Sequence, residues 1–283
     1  MNQTIARRAR MLAGVIALTA LLAGCLLAPG CFTSSLDVKR DGQFRFGYTG
    51  ELHFMPLMKA EQERAFNPEP CTNTQTGEER PCRRDEIDEQ RSEWESRKAR
   101  DRQSSAAMAA AMGGIDFDDP DAPRDISERL LRQKGWQRVD YKGNGTFDVV
   151  YSLSSRLDHD FVFPSIEGFA WSNAFVMISP RSDGTVRIDA PGFSSGGGMT
   201  GMGGAMAMGS MMAGAMASRG GSQEAPSTGP IVDGTFTVTT DAPILANNTD
   251  EGPEAGAVGQ MLIWEINSRA PAPPTALLQL DPE

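Results

Sequence analysis

The chain has 283 residues, of which 40% are apolar, and this is enough to bury the core of one large domain or two small ones. Its formal net charge is −10. Because nucleic-acid affinity comes largely from Lys and Arg displacing counterions, a chain this acidic is not expected to bind nucleic acid. Gly and Met are frequent but clustered, which predicts a folded part interrupted by segments that do not pack.

The N-terminus has the architecture of a secretory signal peptide. Arg7, Arg8 and Arg10 precede the apolar run "LAGVIALTALLAGCLLA", and no acidic residue lies among them. Length alone also allows an uncleaved membrane-spanning helix, which needs about 20 apolar residues. Removal of residues 1–24 would leave 24 basic and 37 acidic residues, a net charge of −13.

The end of this run, Leu22-Ala23-Gly24-Cys25, resembles the lipobox of bacterial lipoproteins. The resemblance implies cleavage before Cys25, diacylglycerol on its sulfur and a further acyl chain, such as palmitate, on its new amino group. Each buried CH2 adds about 0.8 kcal/mol, so three chains would hold the protein firmly to a bilayer. Residues 25–31 would then form a lipidated tether. Leu26 stands where Asp would signal inner-membrane retention, and this favours the outer membrane, with the domain facing the periplasm.

The remaining cysteines would lie in an oxidising compartment. Cys71 and Cys82 bracket the polar stretch "TNTQTGEERP", and we predict a disulfide between them that closes a short loop. Cys31 is left as a free thiol or as the partner in an alternative pairing. No C-x-x-C pair occurs and the chain has only two histidines, so a zinc site is not expected.

Apolar and polar residues alternate on both sides of Asp41-Gly42, which predicts a β-hairpin. The residues of one parity are Phe32, Ser34, Leu36, Val38, Phe44, Phe46, Tyr48, Leu52 and Phe54. Gly143-Asn144-Gly145, Asp183-Gly184 and Asp233-Gly234 are three further Gly-centred turns, each followed by strand-forming residues. The sheet is therefore predicted to be predominantly antiparallel.

Two helices are predicted after the first hairpin. The stretch "RRDEIDEQRSEWESRKARDRQ" forms a mostly solvated helix, which continues through "SSAAMAAAM" to Gly113-Gly114. The second helix begins near Pro123 and ends at Gly135, and Ile126, Leu130 and Leu131 form the face that packs on the sheet.

The C-terminal part reads as strands "TFTVTT", "APILAN", "MLIWEIN" and "TALLQL". Strands, then helices, then strands predict an α+β domain with a sheet of roughly six to eight strands. We assign residues 32–193 to the first part of this domain and residues 230–283 to the strands that complete it. Between them, the Gly/Ala/Met-rich segment 194–229 is expected to be a disordered insertion.

Methionines in this insertion raise the hypothesis of a Cu(I) site, because thioethers are soft ligands. They are Met199, Met202, Met206, Met208, Met211, Met212 and Met216, seven of the fifteen in the chain. His or Cys usually completes such sites, and the segment has neither. A flexible loop that rests on a membrane or an apolar partner, and plain low complexity, are the alternatives.

No catalytic constellation or cofactor motif is found. The stretch "SSRLDHD", residues 154–160, has hydrolase residue types without a nucleophile elbow, and Glu51-Leu52-His53 adds none. The acidic loop "ANNTDEGPEAG" lacks the alternating spacing of a calcium site. The sequence therefore predicts a protein that is not an enzyme and needs no cofactor.

The order of hairpin, helices and "GWQRVDYKGNGTFDVVYSL" resembles the LppM-type envelope lipoproteins over residues 32–165, and the whole chain resembles uncharacterised proteobacterial lipoproteins. The first resemblance implies a β-rich domain that holds lipid. The leading prediction is a non-enzymatic structural or interaction module of the cell envelope, whose partners are the bilayer and an unknown envelope protein or lipid. The second is carriage of a lipid or other hydrophobic ligand in a cavity lined by Phe46, Tyr48, Val149 and Tyr151.

Overall fold

The computed structural model describes residues 27–62, 66–73, 77–111, 114–167, 174–194, 231–256, 258–267 and 272–281. The strands in these ranges are β1 (Leu27–Val38), β2 (Gln43–Phe54), β3 (Cys71–Thr72), β4 (Glu79–Arg80), β5 (Trp136–Gly143), β6 (Thr146–Arg156), β7 (Phe161–Phe163), β8 (Val176–Pro180), β9 (Thr185–Asp189), β10 (Asp233–Thr240), β11 (Ile244–Asn247), β12 (Glu254–Ala255), β13 (Gln260–Ile266) and β14 (Thr275–Gln279). The helices are α1 (Met55–Gln62), α2 (Arg84–Ala111) and α3 (Ala122–Leu131).

The strands form two larger sheets and one small ribbon. A seven-stranded sheet has the order β12-β13-β10-β1-β2-β6-β5, and a five-stranded sheet has the order β11-β14-β9-β8-β7. β1 and β10 run parallel, whereas the other described neighbours in both sheets are antiparallel. β3 and β4 pair with each other. The predominantly antiparallel prediction is confirmed, but the strands divide between two sheets, whereas the sequence predicted one.

The first predicted hairpin is confirmed. β1 and β2 are antiparallel partners, with Val38 opposite Phe44, and the turn between them contains Asp41 and Gly42. Gly42 has φ +85°, a region that an L side chain disfavours, and the Asp41 carboxylate accepts a hydrogen bond from the Gln43 amide at 2.9 Å. The turn chemistry therefore fixes the register that puts the even-numbered side chains of β1 from Phe32 onward, and their partners on β2, on the buried face, whereas beyond the bulge at Pro29–Phe32 the odd-numbered Leu27 is buried.

Two of the other three predicted turns are confirmed, and one is wrong. Gly143-Asn144-Gly145 joins β5 to β6, and Asp183-Gly184 joins β8 to β9. Asp233-Gly234 instead lies inside β10, where the two residues pair with Cys31 and Phe32 of β1. A Cβ on Gly234 would stand 2.2 Å from the Phe32 carbonyl oxygen, so this glycine serves close strand approach and not a turn.

The described part of the chain has three helices after the first hairpin, where the sequence predicted two. α2 forms as predicted and ends at Ala111, before the glycines at 113 and 114. α3 begins with Pro123 in its first turn but ends at Leu131, earlier than the predicted Gly135. The sequence does not predict α1, because an eight-residue segment with a proline at its second position has no clear helical period.

The two larger sheets pack face to face through aromatic rings. Phe163 of β7 lies at the centre of this contact, and its ring centroid is 4.8 Å from that of Tyr151, 4.9 Å from Phe46 and 5.0 Å from Tyr48. Phe193, which follows β9, stacks on Phe32 of β1 at 4.3 Å. Ile126 and Leu130 of α3 and Leu57 of α1 belong to the same buried core.

The other face of the seven-stranded sheet is polar. Hydroxyl side chains from its central strands project from it, and Thr33, Ser35 and Thr49 among them are exposed. Near one end of β1, residues 27–31 of the predicted tether belong to the strand itself. Within the residues that the structure describes, no helix combines the length and apolarity that a membrane crossing requires.

Candidate functional site

The four residues predicted to line a ligand cavity do come together on one sheet face. Phe46 and Tyr48 lie on β2, and Val149 and Tyr151 lie on the adjacent β6, with Tyr48 directly opposite Tyr151. All four side chains are buried. Rings of the five-stranded sheet fill the space that they face, since Phe163 contacts Phe46, Tyr48 and Tyr151.

The two tyrosines of this group are held neutral by burial. Burial raises the pKa of Tyr48 well above its ordinary value, and the negative charge of Glu51 and the thiol of Cys31 raise it further. Its hydroxyl donates to the Glu51 carbonyl oxygen at 2.8 Å. Burial also raises the pKa of Tyr151 to about 12. Neither hydroxyl is therefore a base near neutral pH, and both act as parts of the core.

Two shallow concave surfaces of the described residues lie elsewhere. One, of about 360 Å³, lies beside the β3–β4 ribbon, and the other, of about 320 Å³, lies on α2. The first is lined by Pro68, Glu69, Pro70, Glu79, Arg80, Pro81, Cys82 and Ile87, and the second by Ser92, Glu93, Ser96, Arg97 and Arg100. Neither includes a residue of the predicted ligand cavity.

A β-bulge marks the end of the seven-stranded sheet at which β1 begins. The register of β1 and β2 shifts between Pro29 and Phe32, so the Cys31 amide points outward and donates to the Glu51 carboxylate at 3.1 Å. His53 Nε2 lies 3.9 Å from the same carboxylate, and its Nδ1 is 2.9 Å from the Thr146 hydroxyl. Cys31 is a free and exposed thiol, which was one of the two predicted alternatives.

Electrostatics at this bulge favour a neutral imidazole. Burial lowers the pKa of His53, and the Glu51 carboxylate opposes this shift without cancelling it. The Glu51 carboxylate accepts a hydrogen bond from the Cys31 amide and lies beside the His53 imidazole. These three residues therefore connect β1 and β2 at the end of the strand pair. Elsewhere, His159 contacts only its neighbour Asp158 among the contacts described, and both side chains are largely exposed.

Residues 66–111 form an arm on the outside of the two sheets, consisting of an extended segment, the β3–β4 ribbon and α2. The predicted disulfide between Cys71 and Cys82 is present, with a Cα–Cα distance of 5.0 Å. The Gln90 side chain of α2 accepts from the Glu69 amide at 2.9 Å and donates to the Glu69 carbonyl at 3.2 Å. These contacts hold the ribbon against the first turns of α2.

An ion pair between Arg80 and Glu86 also connects the β3–β4 ribbon to α2. The Arg80 guanidinium donates to both carboxylate oxygens of Glu86, at 2.8 and 2.5 Å, and the Arg83 amide donates to the same carboxylate at 2.9 Å. The bond from Arg80 and then that from the Arg83 amide lower the pKa of Glu86 to about 2. Cys71, Cys82 and Glu86 lie within metal-ligand reach of one another, but disulfide sulfurs are not thiolates and cannot supply such ligands.

Stacked rings and cations complete the arm, and sequence reasoning missed them. Phe66 and Trp94 have ring centroids 5.9 Å apart. The Arg91 guanidinium lies 5.0 Å from the centroid of Phe66, and the Lys98 ammonium lies 4.7 Å from that of Trp94. In the sequence, Trp94 and Ile87 are apolar residues within a charged helix, but the ring partner of Trp94, Phe66, lies outside that helix.

Sequence reasoning also missed the role of Asn248 in the acidic loop. Its side-chain carbonyl accepts from the Trp264 indole at 2.9 Å and from the Thr275 amide at 2.8 Å. Its side-chain amide donates to the Pro273 carbonyl at 2.9 Å. Asn248 thus connects β13 to the start of β14 by hydrogen bonds, which gives it a structural role in this loop.

Several predicted site residues lie outside the described ranges. Cys25 lies outside the described residues, and Ser194 is the one described residue of the insertion 194–229. The seven methionines of the copper hypothesis fall within that insertion.

Comparisons with known proteins add little. No family model and no curated protein matches the chain. Among solved structures, the chain is similar to the folded domain of the Mycobacterium tuberculosis LppM protein, determined by NMR, with 11% identity and a TM-score of 0.31 over 90% of this chain and 92% of that one. Identity and TM-score this low do not establish a common fold, activity or ligand.

Proposed function

We propose that the protein is a lipid-anchored, non-enzymatic interaction module of the bacterial cell envelope. The observation that carries the proposal is the position of the lipobox cysteine relative to the fold. Cys25 stands two residues before Leu27, where β1 begins. β1 has β10 and β2 as its neighbours and lies in the middle of the seven-stranded sheet.

An anchor at this point holds the body close to the bilayer. A chain spans at most about 3.6 Å per residue, so the Cα of Leu27 lies within about 7 Å of that of Cys25. The pairing of Leu27 with Phe54 places the end of β2 at the same level. Lipidation would therefore fix one end of the sheet at the membrane surface, with the polar outer face and the arm free for an envelope partner.

The packing of the core supports an interaction module over a carrier. A lipid carrier needs an apolar cavity of several hundred Å³. The rings of Phe46, Tyr48 and Tyr151 instead contact the Phe163 ring at centroid distances of 4.8 to 5.0 Å, and all four rings are buried. These ring contacts therefore support an interaction module more than they support ligand carriage at the predicted residues.

Acyl labelling in a bacterium that processes lipoproteins tests the anchor. We expect cells fed an alkyne analogue of palmitate to label the wild type and the Cys31→Ser variant equally, and to leave Cys25→Ala unlabelled. Cys31→Ser is the matched control, because it removes the other cysteine near this end. Equal labelling of Cys25→Ala, or none of the wild type, would rule the anchor out.

Lipid extraction separates the two functional hypotheses. An interaction module purified from membranes should release no stoichiometric lipid into organic solvent, since covalent acyl chains stay with the protein. Mass spectrometry that finds one extractable lipid per protein would favour carriage.

A further inference from the structure

Three side chains with metal-binding groups lie together at the bulge of β1. Cys31 is on β1, and Glu51 and His53 are two residues apart on β2, so these two project from the same face of the sheet. The Cys31 amide donates to the Glu51 carboxylate at 3.1 Å, and His53 Nε2 lies 3.9 Å from the same carboxylate oxygen. Thiolates, carboxylates and imidazoles are the groups that bind Zn²⁺ in proteins, and the bulge brings one of each close together.

Hydrogen bonding determines which nitrogen of His53 carries a lone pair. The Thr146 hydroxyl donates its one proton to the Asn144 carbonyl at 3.4 Å, so it accepts from His53 Nδ1, which lies 2.9 Å away. The imidazole is neutral, because burial lowers its pKa. The lone pair is therefore on Nε2, the atom that faces Glu51. A hydrogen bond from the other ring nitrogen orients metal-binding histidines in the same way.

The spacing of Nε2 and the carboxylate oxygen suits two ligands of one metal ion. Both atoms are electron-pair donors, and 3.9 Å is too long for a hydrogen bond between them. With zinc–ligand bonds of about 2.0–2.2 Å, two ligands of a tetrahedral site lie roughly 3.4 Å apart. The Glu51 side chain is 42% exposed and can move the remaining distance, whereas that of His53 is only 12% exposed and is held by Thr146.

Gly30 allows the two atoms to approach each other. A Cβ on Gly30 would stand 2.5 Å from the Glu51 carboxylate oxygen and 2.5 Å from His53 Nε2. Any larger residue at this position would therefore push between the carboxylate and the imidazole. The glycine keeps both groups next to the backbone that leads into Cys31.

The charges around Glu51 favour a cation at this place. The ion pairs of the described residues give Glu51 no lysine or arginine, and its contacts are the Cys31 amide and His53. Asp148, opposite Glu51 on β6, adds a second carboxylate, which the Arg138 guanidinium contacts at 2.9 Å. The charge of Glu51 is therefore left to attract a positive ion.

We propose that His53 Nε2, the Glu51 carboxylate and the Cys31 thiolate bind one divalent transition-metal ion, for which Zn²⁺ is the best fit. Calcium and magnesium prefer oxygen ligands and Cu(I) prefers sulfur, so a mixed nitrogen, oxygen and sulfur set favours zinc. The sulfur lies within about 4 Å of its own amide nitrogen, and rotation about χ1 of this exposed residue brings it toward the carboxylate that the amide contacts. Three protein ligands leave a fourth position for water.

The ion would connect β1 to β2 where their register shifts. The sequence did not predict this site, because its ligands form no C-x-x-C pair and come together only when the two strands pair. The inference does not depend on the proposed anchor, since all of its residues belong to the described sheet.

Cobalt substitution tests the site, because Co²⁺ can replace Zn²⁺ and a thiolate bound to it gives a charge-transfer band in the near ultraviolet. The full chain carries Cys25→Ser, which leaves Cys31 as the one thiol outside the Cys71–Cys82 disulfide. We expect a band that saturates at about one Co²⁺ per chain and disappears when Zn²⁺ is added. Absence of the band would overturn the thiolate ligand.

Ligand variants identify the residues, with Zn²⁺ affinity measured by competition with a chromophoric chelator. His53→Gln, Glu51→Gln and Cys31→Ser should each weaken binding by at least about tenfold. His159→Gln/Asp158→Asn is the matched control, because it removes the other histidine and its acidic neighbour at exposed positions. Wild-type affinity in His53→Gln, or an equal loss in the control, would overturn the site.

A fourth variant blocks the site without removing a ligand. Gly30→Ala should also lose at least about tenfold in affinity, because its Cβ separates the carboxylate from the imidazole. Thermal unfolding without metal shows that each variant is folded, and Cys31→Ser, at an exposed position, decides the question if Gly30→Ala is not. Zn²⁺ should raise the unfolding temperature of the wild type and the control. An equal rise in His53→Gln would contradict the proposal.

Discussion

The aromatic core between the sheets and the arm of residues 66–111 are stabilised by different physics. In the core, Phe163 and the rings around it are buried and gain stability from apolar area and ring packing. In the arm, a disulfide, the Arg80–Glu86 pair and the stacked Phe66 and Trp94 act at half-buried or exposed positions. The core therefore carries the global stability, while the arm can open without unfolding the body.

The largest expected effect is a cavity in the core. Phe46→Ala should lower the free energy of unfolding by about 3–5 kcal/mol, because it removes a fully buried ring that contacts Phe161 and Phe163. Urea unfolding followed by tryptophan fluorescence measures this. Thr49→Ala, on the exposed face of the same strand, should change the free energy by less than about 0.5 kcal/mol. Similar losses in both variants would show that the rings do not carry the stability.

The disulfide should matter only within the arm. Cys71→Ser/Cys82→Ser frees a short loop, which the chain-entropy picture values at about 2–3 kcal/mol of local stability. Hydrogen exchange of the amides in β3, β4 and the start of α2 should become faster, and exchange in β1, β2 and β6 should not change. Faster exchange throughout the sheets would mean that the arm and the core unfold as one unit.

A larger side chain at Gly234 tests the parallel pairing of β1 with β10, two strands that lie far apart in the sequence. Gly234→Ala places a Cβ 2.2 Å from the Phe32 carbonyl oxygen and should cost about 1–3 kcal/mol in thermal or urea unfolding. Gly256→Ala is the control, since its nearest neighbour would be at an ordinary 3.6 Å. A Gly234→Ala protein as stable as the control would contradict the close approach of β1 and β10.

The smallest effect is a titration in the arm. Since Arg80 and the Arg83 amide lower the pKa of Glu86 to about 2, the contribution of this carboxylate is present above its ordinary pKa of 4.5 and is lost as pH falls toward 2. NMR of the Glu86 carboxyl should show a midpoint near 2 in the wild type and a higher midpoint in Arg80→Ala, which stays below the ordinary value because the hydrogen bond from the Arg83 amide remains. An ordinary midpoint in the wild type would show that the ion pair does not form in solution.

Local patterns predicted the hairpins and the longest helix, because a period of two around a Gly-centred turn and a run of strong helix formers are both local signals. The sequence also predicted the disulfide and the shared face of Phe46, Tyr48, Val149 and Tyr151. It did not predict the division into two sheets. Alternation shows that one face of a strand is buried, but it does not identify the strand opposite.

Contacts between distant residues account for the other misses. Asp233-Gly234 has the composition of a turn, but pairing with β1 overrides it. Phe66 has no periodic signal of its own and is held by Trp94 from a different element. Asn248 looks like a solvated loop residue until Trp264 and Thr275 are placed beside it. In each case the partner is set by the tertiary fold, which a window of sequence does not contain.

Mass spectrometry of the N-terminal peptide, from protein isolated out of its native envelope, decides whether Cys25 carries the lipid anchor. We expect a chain that begins at Cys25, with diacylglycerol on the sulfur and an acyl group on the amine. A chain that begins at Met1, or a Cys25 without lipid on a protein that leaves the membrane without detergent, would contradict it.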